Sequence, residues 1–172
     1  MVVTDNDDHA SKLRQLRDWG QETKGEHTLR GFNYRIEEIQ AAILRVKLRR
    51  LADWNDARAL RAADYNELLE SLPVTTPFAA ADRKHVYHVY SILSAERDAL
   101  RRGLGQQEIQ TGVHYGIPVH LQASHAGLGY SEGDFPVSES LCKQVMSLPI
   151  FPEMTREQVE TVAGVIRELT GS

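Results

Sequence analysis

The sequence contains a single cysteine, Cys142. An internal disulfide and any multi-thiolate metal site are therefore excluded, and the composition suits a reducing cytoplasm. No apolar run approaches the ~18 residues of a membrane-spanning helix. The acidic start (Asp5, Asp7, Asp8) carries the wrong charge for a signal peptide. Positive charge is not in excess: 20 basic against 24 acidic side chains leave −4, which argues against a main business of holding nucleic-acid phosphates. Gly-x-Ser-x-Gly, a phosphate loop and a Gly-x-Gly-x-x-Gly following a strand are all missing, as are internal repeats and low-complexity segments. What remains is a 172-residue chain, 41% hydrophobic and 26% charged. That composition is neither disordered, collagen-like nor coiled-coil, and reads as a soluble intracellular globular domain.

Along the chain, Met1 to Thr4 reads as the tail of a strand, and residues 5–8 as a turn with helix-capping side chains. A helix carrying Leu13, Leu16 and Trp19 follows and is stopped by Gly20. Residues 21–32 are polar, contain Gly25 and Gly31, and read as a loop. From Ile36 to Leu72 helical spacing dominates. Ile36, Ile39, Ile43 and Val46 form one stripe, and Leu44, Leu48 and Leu51 a second on another face. Two stripes imply two bodies, either the domain's own core plus a second subunit or two layers of one domain. Pro73 and Pro77 end the run. Residues 85–93, 109–115 and 146–150 read as strands. Residues 95–104 (capped by Ser94) and 138–145 read as helices. Thr155 to Gln158 is a capping-box pattern ahead of Val159, Val162, Ile166 and Leu169. The fold class is α/β, an α+β layer of long helices plus a small sheet.

Few residues point to chemistry. His85 and His88, three apart on an expected strand, fall on opposite faces and share no metal. No carboxylate joins His114, His120 or His125 at ligand spacing, so no metal site is expected, and Cys142 reads as an inert core thiol. The run from Thr111 to His120 sets His114 and Tyr115 at a strand end before Gly116 and Pro118. Ligands of α/β sheets often sit there, although a turn whose His and Tyr bond the backbone reads equally well. Gly31-Phe32-Asn33-Tyr34-Arg35 opens the long helix with Asn33 as N-cap. Arg35, a cation at the positive end of the dipole, asks for an anionic partner, and such a helix start also suits phosphate.

At these residues the chain resembles the DegT/DnrJ/StrS family of pyridoxal-phosphate-dependent nucleotide-sugar aminotransferases. The likeness runs through GFNYRIEEIQAAILRVKLRRLADWNDAR, HVYHVYSIL, TGVHYGIPVHLQ and LGYSEGDFPVSESLCKQVMSLPIFPEMTREQV, in that order. The resemblance implies the C-terminal part of a fold type I aminotransferase, dimeric, with active sites at the subunit boundary. Residues 1–35 would be a remnant of the large cofactor domain and a mobile loop, 36–72 linking and interface helices, and 73–172 a small C-terminal α+β domain. By similarity Asn33 would reach the phosphate of pyridoxal phosphate in the partner subunit. His114 and Tyr115 would line the nucleotide-sugar side of the pocket. The family's Schiff-base lysine lies upstream of a strand like Met1 to Thr4, and none of Lys12, Lys24, Lys47, Lys84 and Lys143 stands in that context. No catalytic residue is therefore assigned, and a truncated, split or fragmentary cytoplasmic aminotransferase that does not transaminate alone is expected. The alternative is a non-enzymatic interaction or regulatory module pairing with full-length relatives. Nucleic acid and membrane are not expected as partners.

Overall fold

Helix α6 (Arg156–Thr170) shows how directly local chemistry sets an element. Thr155 Oγ1 accepts the Gln158 N–H at 3.3 Å and Gln158 Oε1 accepts the Thr155 N–H at 2.9 Å, closing the capping box. Val159, Val162 and Ile166, at helical spacing, then go into the core. This computed structural model describes residues 2–171. Met1 lies outside them, and Val2 to Thr4 form no strand. The chain divides into two units, Met1–Arg50 and Leu51–Ser172. The division falls inside the 36–72 stretch, because the helical run is interrupted at Arg49 and Arg50.

The 51–172 unit packs helices against a small antiparallel sheet. Helix α3 (Leu51–Leu69) and α4 (Arg97–Gln106) both contact α6. Strand β3 (Tyr90–Leu93) pairs with β4 (Val145–Leu148) in the register Tyr90↔Leu148 and Ile92↔Met146. Strand alternation sends these four side chains into the core, beside Tyr65 and Leu69 of α3 and Leu104 of α4. Tyr65 and Tyr90 stack with ring centroids 4.8 Å apart. Their hydroxyls donate to the Pro149 carbonyl at 3.0 Å and to Asn66 Oδ1 at 2.6 Å, so no phenol is buried unpaired. Each fully buried side chain of this size contributes roughly 1.5–3 kcal/mol, more than any single cap or surface ion pair.

Several expected elements are shorter or displaced. Residues 85–89 are irregular and only 90–93 are strand. His85 is therefore not on a strand, and its Nδ1 accepts the Tyr87 N–H at 2.9 Å. The strand expected over 109–115 shrinks to one bridge between Gly112 and Ser147. A Cβ on Gly112 would lie 2.5 Å from the His114 ring, which folds over the position a longer strand would need. Helix α5 (Pro136–Gln144) starts earlier than expected, with Pro136 in its first turn, where the missing N–H costs nothing.

The 1–50 unit is built differently. Helix α1 (Asp7–Arg17) is capped by Asn6, whose Oδ1 accepts the His9 N–H at 2.9 Å. Residues 21–32, expected as loop, include a small hairpin of β1 (Gln21–Thr23) and β2 (Glu26–His27) turning at Gly25 with φ +88°. Helix α2 (Glu38–Leu48) begins later than expected, behind a capping box of Glu37 and Gln40. Both apolar stripes are exposed along it: Ile39 keeps 76% of its surface and Leu44 and Leu48 are also open. Within this chain neither stripe meets a core of its own unit. Among the described residues neither α1 nor α2 buries a side chain.

Candidate functional site

Asn33 does not cap a helix. It lies in the extended segment before α2, bridged to Asp18 in antiparallel fashion. The cause is the open C-terminus of α1, whose last carbonyls need donors. Phe32 N–H donates to the Leu16 carbonyl at 2.7 Å and Tyr34 N–H to the Arg17 carbonyl at 2.9 Å, while Phe32 returns its own carbonyl to the Trp19 N–H at 2.9 Å. Gly31 permits the clamp, since a Cβ there would meet the Gly20 nitrogen at 2.1 Å. The anionic partner that Arg35 requires is Asp18, with Nη1 2.6 Å from Oδ1. Arg35 Nε also donates to Asn33 Oδ1 at 3.2 Å. Among the described residues the Nδ2 donors of Asn33 have no partner, and the side chain is exposed.

The second candidate region lies within the 51–172 unit. Ser147 sits on the face of β4 opposite the core, where its hydroxyl meets Ser91 Oγ at 2.9 Å and His114 Nδ1 at 3.0 Å. That pairing hangs the His114 ring on the sheet and leaves Nε2 unpaired among the described residues. Tyr115 follows edge-on to His114, with centroids 5.7 Å apart, and is 75% exposed. Both residues line a cleft of about 720 Å³ whose other walls include Leu93, Phe135, Val137 and Cys142. The structure therefore brings His114 and Tyr115 together at a sheet edge. Cys142, expected in the core, is half-buried on the cleft wall instead.

Sequence reading missed what holds the cleft's rim. Glu139, on α5, is buried and takes the Gly133 N–H at 2.9 Å and the Phe135 N–H at 3.3 Å, both on Oε1. His120 Nε2 stands 3.0 Å from the same oxygen. Burial alone would push this carboxyl up, but the two amides and the imidazole more than offset it and hold Glu139 below the ordinary carboxylate range. His120 and Glu139 are 19 positions apart in the chain, a distance at which no local pattern signals a pair. Among the described residues no group of three or more His, Cys, Asp or Glu side chains is placed to hold a metal ion, and no helix is long and apolar enough to cross a membrane.

Helices over a small antiparallel sheet, with a largely apolar cleft at its edge, form the C-terminal portion of an α/β aminotransferase fold. The crystal structure of DesV from S. venezuelae matches 99% of this chain with a TM-score of 0.92 at 39% identity, using 46% of that chain. The chain belongs to the DegT/DnrJ/EryC1/StrS aminotransferase family, whose model matches residues 1–167. It is 42% identical to a pleiotropic regulatory protein of Geobacillus stearothermophilus, with 98% of this chain and 46% of the relative covered. It is 40% identical to dTDP-3-amino-3,4,6-trideoxy-alpha-D-glucose transaminase of Streptomyces venezuelae, covering 97% and 44%. The chain thus spans about half the length of the curated relatives it matches.

The enzymes of this family depend on pyridoxal phosphate. The donor chemistry of the 1–50 unit fits its phosphate end. The Asn33 amide offers N–H groups not spent inside the unit, on a backbone fixed by the α1 clamp, whereas Arg35 already pairs with Asp18.

Proposed function

We propose that this chain supplies the C-terminal part of a cytoplasmic, dimeric aminotransferase that acts on nucleotide-linked keto-sugars in amino-sugar biosynthesis. In this reading Asn33 holds the phosphate of pyridoxal phosphate belonging to a partner subunit, either a second copy or a full-length relative. When bound, that cofactor supplies the electron sink for amino transfer. His114 and Tyr115 line the nucleotide-sugar side of the pocket. His114, fixed through Nδ1 to Ser147, orients its free Nε2 group, and Tyr115 offers an open ring and hydroxyl. No lysine of this chain is assigned to the cofactor, so the chain does not transaminate alone. The observation that carries the reading is the Asn33 amide, clamped in place with its donors unspent. The domain roles follow the same division: residues 1–35 border the cofactor, 36–72 present the interface helices, and 73–172 carry the sugar side.

A second reading is favoured by the exposed stripes of α2 and by the likeness to a protein named as regulatory. In it the chain is a non-enzymatic module that pairs with full-length relatives. Mixing the chain with the S. venezuelae transaminase and pyridoxal phosphate, followed by native mass spectrometry, separates the two. The first reading expects a mixed dimer that retains cofactor, with Asn33→Ala in this chain weakening cofactor retention about ten-fold, the scale of one lost charge-assisted hydrogen bond. A mixed dimer indifferent to Asn33→Ala selects the interaction module. Absence of any mixed or self dimer sinks both.

A further inference from the structure

Glu139 is the one buried side chain of α5, and it is a carboxylate rather than an apolar residue. A buried carboxylate destabilises unless its oxygens are satisfied. Here Oε1 gathers the Gly133 and Phe135 amides and the His120 ring, and Oε2 lies 3.0 Å from the Gly133 nitrogen. The side chains of His120 and Glu139 are 8% and 9% exposed. Gly133 adopts φ +99°, a region that a residue with a Cβ rarely enters, as it presents its N–H to the carboxylate. The His120 ring packs on Phe135 with centroids 4.7 Å apart, and Tyr130 meets the far edge of Phe135 at 5.2 Å. Asp134 and Phe135 form one wall of the cleft that His114 and Tyr115 line. One carboxylate thus ties together the 3₁₀ turn Val119–Leu121, the turn at 131–135 and the start of α5.

We propose that Glu139, acting with His120, is a positioning residue for this cleft: it fixes the Asp134–Phe135 wall at the spacing from His114 and Tyr115 that a bound ligand requires. That the ligand is a nucleotide-linked sugar rests on the reading above; the positioning does not. An apolar side chain at 139 would fill the space without desolvating a charge, but it would leave the Gly133 and Phe135 amides unpaired and the wall free to move.

Amide hydrogen exchange on the whole chain tests this, with alkylation of Cys142 by iodoacetamide as a second readout, because the only thiol lies on the same cleft. In Glu139→Ala the Gly133 and Phe135 amides should exchange about ten-fold faster, as expected for loss of roughly 1.4 kcal/mol of protection. Amides of β4 and α6 should be unchanged, and the Cys142 alkylation rate should shift several-fold. Glu139→Gln, whose carbonyl still accepts both amides, should restore their protection. It should nevertheless move the His120 ring-nitrogen resonances, because a neutral group replaces the carboxylate. Unchanged rim amides in Glu139→Ala overturn the proposal, and so does acceleration spread evenly over β4 and α6, which would make Glu139 a general stabiliser. An unaltered Cys142 rate overturns it as well, since the wall would then not depend on the pair. None of these measurements uses cofactor or sugar, so their failure is distinct from failure of the proposed function.

Discussion

The two units hold their shape by different means. In the 51–172 unit, Tyr65, Leu69, Tyr90, Ile92 and Ile166 are fully removed from water, and the sheet and three helices close on them. In the 1–50 unit no helix buries a side chain, and order comes from backbone pairing, caps and two glycines that let strands of chain touch. Hydrophobic burial is non-directional and large, whereas caps and turns are directional and small. The first kind of unit carries its own hydrophobic core. The second keeps its local geometry but leaves Ile39, Ile43, Leu44 and Leu48 exposed, a patch of the sort that marks a binding surface. Asn33, the residue proposed to hold the cofactor phosphate, lies in the second kind.

The largest effect that tests this contrast is a matched pair of truncations. Leu69→Ala should lower the stability of the 51–172 unit by about 2–5 kcal/mol, the range for an emptied core site. Ile39→Ala should change it by less than about 0.5 kcal/mol, because an exposed side chain has little burial to lose. Urea unfolding followed by circular dichroism reads both. If Ile39→Ala proved as costly as Leu69→Ala at high protein concentration and harmless on dilution, the stripe would be covered by a second copy, and the contrast would belong to the monomer alone.

Alkaline pH gives the next largest separation. Burial first, and then the charge of a neighbouring phenol, push the Tyr65 and Tyr90 hydroxyls well above their ordinary 10.0. The folded state therefore keeps protons that the unfolded chain releases near that value. The associated stability is fully present below the unfolded pKa and is lost as the pH climbs toward the folded one. The unfolding midpoint of the 51–172 unit should hold up to about pH 10 and fall progressively above it. Tyr90→Phe should flatten that slope. The 1–50 unit has no buried phenol pair among its described residues, so its helix signal should persist where that of the 51–172 unit is lost.

What was legible in the sequence depended on how local its cause was. The α6 cap reads directly, because Thr155 and Gln158 bond each other three residues apart and an amphipathic stripe follows at once. Asn33 was placed on the wrong structure. Its residue type suits an N-cap, yet the box closes at Glu37 and Gln40, and carbonyls left open sixteen or so residues earlier in α1 claim the Phe32 and Tyr34 amides instead. Spacing along the chain contains nothing of that clamp, nor of Gly31 lying on Gly20. The sequence set His114 and Tyr115 at the end of a strand over 109–115; only the Gly112–Ser147 bridge of that strand forms, and the two residues follow it. Their anchor, Ser147, lies 33 positions downstream of His114, and the Glu139–His120 tie spans 19. Tertiary pairs of this kind leave no periodic trace, whereas the resemblance to the aminotransferase family, carried by four motifs in order, was visible because whole segments repeat it.

The smallest effect sharpens the comparison most, since the same chemical change is made once in each unit. Thr155→Ala and Asn6→Ala each remove one side-chain acceptor from a helix N-terminus, worth about 1 kcal/mol. For α6 the lost cap is coupled to Val159, Val162 and Ile166, which share the core with the sheet. That loss should appear in full as a lower urea midpoint of the 51–172 transition. For α1, which buries no side chain, the same loss has no packed partner to transmit it. It should appear as faster exchange of the His9 and Ala10 amides, with the main transition unmoved. Equal midpoint shifts from the two substitutions would mean that the units unfold as one, and the exposed stripes of α2 would then be stabilised through contacts outside their own unit.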